Sequence, residues 1–189
     1  MKNTFIVLLV TFVSLPTLTF NTIAFNKNEK DSCITVLNKT DLKELSIEER
    51  NGLIRMRVEE KLARDAYITL GEIWSVRIFQ NIQKSEQRHM DAMKRLIDIY
   101  EIPDPAENDA VGIFSLIEFQ KLYDELVQKG TASYNDAMLV GREIEELDIS
   151  DLENQLLIVD NPDIKIVYEN LKAASERHLK AFNRHIKKN

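Results

Sequence analysis

Glu86 and His89 stand three residues apart in SEQRHMDA, residues 85–92. Read outward at steps of three and four, the same line runs Phe79, Ile82, Glu86, His89, Met93, Leu96, Tyr100. That spacing is one face of an α-helix. The face is apolar at both ends and ionisable at its centre. Residues i and i+3 share a helix face and differ by about 4.5 Å along the axis, so an acid and an imidazole placed this way can converge on one metal ion. A hydrogen-bonded core pair is the other reading of the same spacing.

Three more stripes have the same interruption. The first long helix gives Leu53, Met56, Glu60, Ala63, Tyr67, Leu70. The third gives Tyr134, Met138, Gly141, Glu145, Asp148, Leu152, Leu156. The fourth gives Ile164, Val167, Leu171, Ala174, His178, Phe182, His185. Glu59, Asp65, Glu143 and Glu146 fall off these lines and read as surface charges. Glu176 lies about 160° around its helix from His178, which turns it outward, and Ser175 takes the inward place three residues before the histidine.

The inward set is therefore Glu60, Glu86, His89, Glu145, Asp148 and His178. Several unpaired charges inside a bundle would cost several kcal/mol per ion. No Lys or Arg falls centrally on the stripes, although Arg64 at the edge of the first is long enough to reach in. A pair of divalent cations balances four carboxylates, and oxygen plus imidazole ligands without thiolate suit iron or manganese. Bundle sites of this type draw one Glu from each of two helices and a Glu-x-x-His from each of the other two. Tyr67 reads either as a core tyrosine with a satisfied hydroxyl or as a donor to a ligand carboxylate. His185 reads as a helix-end histidine, and Met56, Met90, Met93 and Met138 as core fillers.

The elements that carry these residues are long helices. The first starts at Ser46, where Ser-Ile-Glu-Glu offers a capping box to Glu49, and is expected to stop at Leu70–Gly71. A short link holding Trp74 as a plug leads to the second helix, Arg77 to Tyr100, closed by Pro103 and Pro105. A long connection follows, with its own short helix from Ser115 to Lys129, capped by Ser115 and Glu118 and stopped by Gly130. The third long helix spans Ser133 to Val159, and the fourth Pro162 to Ile186. Two helical hairpins joined by a long crossover with a short extra helix is the connectivity of an all-α, ferritin-like four-helix bundle.

The chain has 189 residues, 44% of them apolar, and a net charge of −6. That is one domain with a core, without the basic stripe of a nucleic-acid binder. The basic end RHIKKN complements a helix C-terminus. The opening is different in character. Lys2 is followed by FIVLLVTFVSLPTLTF, which reads as a signal peptide over 1–24, with a membrane anchor as the alternative. A polar leader covers 25–40 and the helical domain 41–189. Cys33 is the only cysteine, so neither an internal disulfide nor a thiolate cluster can form. It also lies too far past the apolar run to read as a lipid-attachment site.

EKLARDAY around Glu60, SEQRHMDA around Glu86, GREIEELDISDL around Glu145 and ASERHLKAF around His178 resemble an exported ferritin-like domain family of unassigned function. Its pattern is related to that of rubrerythrin-type proteins, whose first helix has a similar Glu-x-x-Ala-Arg-x-x-Tyr run. The resemblance covers about residues 41–186. It implies a ferritin-like fold and, by analogy with rubrerythrins, a two-iron carboxylate site handling dioxygen or peroxide. The fourth helix departs from the rubrerythrin pattern, with Ser175-x-x-His178 for Glu-x-x-His, and Asp148 is the residue placed to supply the replacement carboxylate. Three functions follow as expectations: a di-iron oxidoreductase, a non-catalytic iron- or metal-binding protein outside the cytoplasm, and a metal-free structural or partner-binding bundle. The expected partners are metal ions, an external electron donor and a second copy of the chain in a homodimer, with no nucleic acid.

Overall fold

The computed structural model describes residues 43–186. The expected signal peptide, the polar leader and Cys33 lie outside the described residues. Helix α1 (Ile47–Trp74) starts at the capping box read from the sequence. Ser46 Oγ accepts from the Glu49 N–H at 3.0 Å, and Glu49 Oε2 accepts from the Ser46 N–H at 2.9 Å. The other oxygen of Glu49 accepts the N–H groups of Asp160 and Asn161 at 3.0 and 2.8 Å, which ties this cap to a distant link.

The helix does not stop at Leu70. It runs through Gly71 to Trp74, and Ser75 turns the chain in the left-handed region, φ 52°. Gly71 serves close packing rather than termination, because a Cβ there would lie 3.1 Å from Phe79 Cβ on the returning helix. Trp74 donates to Gly130 O at 2.9 Å. Helix α2 (Arg77–Ile99) follows after two residues. Helix α3 (Ile117–Gly130) lies within the crossover. The expected capping box at Ser115 is not formed: Leu116 holds the N-cap position without a side-chain bond, and Ser115 donates to Pro105 O at 2.8 Å instead. Helix α4 (Tyr134–Ile158) is capped by Ser133, and α5 (Pro162–His185) opens on its proline. Among the described residues there is no strand, and no helix is long and apolar enough to cross a membrane.

Two apolar clusters show how the helices run. Leu53 and Met56 near the start of α1 pack with Met93 and Leu96 near the end of α2, while Tyr67 and Leu70 pack with Phe79 and Ile82. The two helices are therefore antiparallel. The same holds for α4 and α5: Leu152 shares a cluster with Ile164 and Leu171, and Met138 and Ile144 share the other with Phe182. Between the two clusters lies the middle of all four long helices, and that is where the ionisable groups fall.

α1 has neighbours on every side, which overturns one expectation. Asp65 and Glu59 are not surface charges; they are 0% and 4% exposed. The crossover covers the Asp65 side. Asp65 takes Lys61 Nζ, the Arg64 Nε–H at 2.8 Å and the Gly112 N–H at 3.0 Å, and Lys61 also donates to Ala110 O at 2.8 Å. α4 covers the Glu59 side, where Arg55 bridges Glu59 and Asp151, both at 2.8 Å.

Candidate metal centre

Each long helix contributes to one buried cluster. α1 brings Glu60, α2 brings Glu86 and His89, α4 brings Glu145 and Asp148, and α5 brings His178. Glu86 is at the middle. Its Oε2 lies 2.8 Å from His89 Nδ1, and its Oε1 lies 2.8 Å from His178 Nδ1. His89 Nδ1 also lies 3.2 Å from Glu60 Oε2, and His178 Nδ1 lies 3.6 Å from Glu145 Oε1. The two imidazoles face each other with centroids 5.7 Å apart and planes 20° from parallel.

This arrangement forms two sets of three, Glu60–Glu86–His89 and Glu86–Glu145–His178, and Glu86 belongs to both. Within each set the ligand-type atoms lie within 4.8 Å of one another. Asp148 is buried beside them but joins neither set. Ser175 donates to its Oδ2, and its Oδ1 has no hydrogen-bond partner. Of the six residues predicted, five are thus brought into ligand-like groups, and the sixth is turned toward α5.

Burial dominates the electrostatics. It pushes Glu60 up to about 7, with His89 pulling down and Glu86 pushing further up. Burial and the Glu86 charge raise Glu145 to about 7 against His178 and Tyr67. Burial, then the Glu60 charge, pushes Asp148 well above the usual carboxylate range. Glu86 goes the other way, because its two imidazole neighbours outweigh burial and hold it well below that range. For His178 burial opposes the imidazolium, but the Glu145 and Glu86 carboxylates beside it lift it to about 9, and Glu86 and Glu60 raise His89 in the same sense. Each imidazolium so favoured is a cation standing where a metal ion would also serve.

The donor atoms fit a cation. Glu60 Oε1, Glu86 Oε1, Asp148 Oδ1 and His178 Nδ1 are buried without a hydrogen-bond partner. Buried polar atoms normally have one. Glu86 Oε1 and His178 Nδ1 approach to 2.8 Å without hydrogen-bond geometry, which suits two lone pairs aimed at a shared third atom. Arg64 does not reach in. Its guanidinium is committed to Asp65, Gln87 and Asp109 on the crossover side.

Several supporting groups lie around the centre. Tyr67 is a core tyrosine whose hydroxyl is satisfied, donating to Glu145 Oε1 at 2.7 Å. Ser85 Oγ lies 3.4 Å from His89 Nε2. Glu176 is on the outside, its side chain 46% exposed beside Lys172, and His185 meets the Tyr134 hydroxyl at an exposed end. Glu59 is the residue that helical phase misses. Burial and its neighbours Asp151 and Asp148 raise it to about 10 against the pull of Arg55. Its phase points away from the clustered carboxylates and imidazoles, and only the position of α4 reveals its burial.

A family model described as an uncharacterized protein domain, DUF2202, matches residues 49–189. The chain is 55% identical over 140 residues to the uncharacterized protein MJ0754 of Methanocaldococcus jannaschii, covering 74% of this chain and 76% of that one. The crystal structure of the hypothetical protein MJ0754 from Methanococcus jannaschii is similar with a TM-score of 0.77 at 52% identity, over 80% of this chain and 85% of that chain.

Proposed function

This chain belongs to the uncharacterized DUF2202 domain family, and from its centre we propose that it is a ferritin-like metal-binding protein whose two-metal carboxylate site reacts with dioxygen or peroxide. The observation that carries the reading is Glu86, one oxygen at 2.8 Å from each of two imidazoles, with a second carboxylate beside each imidazole. Glu86 would bridge the two metal positions. Glu60 and His89 would hold one ion, and Glu145 and His178 the other. Oxygen and imidazole donors favour iron, with manganese as the second choice. The succession of hairpin, crossover helix and hairpin supports the ferritin-like assignment.

Bound iron would supply the electrons for dioxygen or peroxide reduction. The chain's own residues keep the ligands in place and water out. Tyr67 fixes one Glu145 oxygen, and Ser175 fixes one Asp148 oxygen while the other is free to turn toward the centre. Phe79 and Phe182 pack on Tyr67 and close that end with apolar surface. The single cysteine gives these residues no four-cysteine electron-transfer site, so this reading calls for a reductant from outside the helical domain. The apolar opening of the sequence supports export, with this chemistry outside the cytoplasm.

A non-catalytic metal-binding role is the second reading, and Ser175 favours it, because the carboxylate of a second Glu-x-x-His is missing from α5. Metal analysis of protein purified without a chelating tag tests both, with roughly two ions per chain expected. Peroxide consumption by the iron-loaded protein with an added reductant separates them. Metal-free protein whose melting temperature ignores both iron and chelator would overturn both.

A further inference from the structure

A groove of about 460 Å³ opens between the start of α2 and the end of α5, beside the first residue of α4. Its floor is apolar, made by Val76, Ile78, Ile82 and Ala181. Its formal charges are all of one sign. Arg77 and Arg184 line it, both exposed, and neither has an ion-pair partner among the described residues. No acid lines it.

Arg55, Arg57 and Arg64 each meet a carboxylate, whereas Arg77 and Arg184, like the exposed Arg50, Arg95 and Arg177, have no ion pair among the described residues. What sets these two apart is that they share one apolar groove. Two cations there without an acid also run against a net charge of −6. Of the polar groups in the groove, His185 is already engaged with the Tyr134 hydroxyl at 3.1 Å. The two solvated guanidiniums, with the exposed Asn81 amide beside them, are the polar groups left to meet a ligand. A guanidinium presents a planar fork that matches a carboxylate.

Grooves that hold small organic ligands run to about 300–1,000 Å³ and are mostly apolar with a few placed polar groups. This one has that size and that division. A ligand that answers both parts needs an apolar chain and an anionic head. An anion without a chain leaves the floor in water, and a chain without an anion leaves both arginines unanswered. We propose that the groove binds a free medium-chain fatty acid, its chain along the apolar floor and its carboxylate held by Arg77 and Arg184.

The site does not depend on metal. Its nearest approach to the centre is Ile82, about one turn before Glu86, and Ala181, about one turn after His178. Failure here therefore leaves the metal reading untouched, and the reverse is also true.

The test is calorimetric titration of the full chain with dodecanoate below its micellar concentration, with dodecanol and inorganic phosphate as controls. The expected result is saturable dodecanoate binding with a single site per chain. R77E/R184E should weaken it by roughly tenfold or more with metal content unchanged, since both arginines are exposed and the cost of an acid at the end of α5 is offset by its gain at the start of α2. Dodecanol and phosphate should each bind at least about tenfold more weakly than dodecanoate. No dodecanoate binding, equal binding by R77E/R184E, or dodecanol or phosphate binding as tight as dodecanoate overturns the proposal.

Discussion

Ser175 donates its hydroxyl to Asp148 Oδ2 at 2.5 Å, joining α5 to α4 beside the ligand cluster. Both side chains are buried, and the other Asp148 oxygen has no partner. Ser175→Ala therefore leaves a buried carboxyl group with neither oxygen satisfied. The expected cost is about 1–3 kcal/mol of stability in the metal-free protein. Urea melts of the two proteins with chelator present measure it, and an unchanged midpoint would show that this hydrogen bond contributes nothing.

Glu86 should be unlike every other ligand, because it belongs to both three-residue sets. Glu86→Ala is expected to abolish binding at both metal positions. Glu60→Ala should remove one ion and leave the set built on Glu145 and His178. Glu176→Ala, on the exposed side of α5, should remove none. Metal-to-protein ratios by elemental analysis distinguish the three outcomes, and equal loss from Glu60→Ala and Glu86→Ala would rule out a shared ligand.

The metal-free protein should lose stability as pH rises from about 5 to 9. Glu60 and Glu145 are raised from 4.5 to about 7, so the folded state resists their ionisation and the penalty grows until pH exceeds 7. His178 is raised from 6.5 to about 9, so its contribution is complete below 6.5 and disappears as pH passes 9. Both changes have the same sign. Glu86 titrates below this window and stays constant within it. Melting temperature against pH, with chelator and with iron, is the measurement. The iron-loaded curve should be flatter, because metal binding has already displaced those protons. A metal-free curve that rises with pH contradicts this.

Two helix glycines should respond differently to alanine. A Cβ at Gly141 would lie 2.3 Å from the ring of Phe182, which is buried against Tyr67 and Phe79 at centroid distances of 5.3 and 5.7 Å. Overpacking a ring with no room to move costs about 1–3 kcal/mol, more than the roughly 0.5–1 kcal/mol gained from alanine in a helix. At Gly52 the nearest atom is the amide end of Gln155, at 2.1 Å, and that flexible, half-buried side chain can swing aside. Gly141→Ala should destabilise and Gly52→Ala should be near neutral, as read by denaturant midpoints. The reverse order would mean the ring yields more readily than the amide.

Helical phase alone identified Glu60, Glu86, His89, Glu145, Asp148 and His178 as inward-facing, and placed Glu176 outside. It did so because the direction of a side chain about its own helix axis is a local property repeated every 3.6 residues. The starts of α1, α4 and α5 at Ser46, Ser133 and Pro162 were legible for the same reason, since caps act within one turn. Gly71 and Ser115 misled because a glycine can permit close packing as well as end a helix, and a serine can bond across a loop as well as cap.

The tertiary structure alone decided which group meets which. Glu86 lies between both imidazoles, Asp148 turns to Ser175, and Arg64 turns away to Asp65 and Asp109. It also decided that Glu59, Lys61 and Asp65 are buried. Those outcomes depend on the distances between helices and on where the crossover lies across α1. No periodicity within a single segment carries that information, because it is fixed by contacts between residues far apart in the chain.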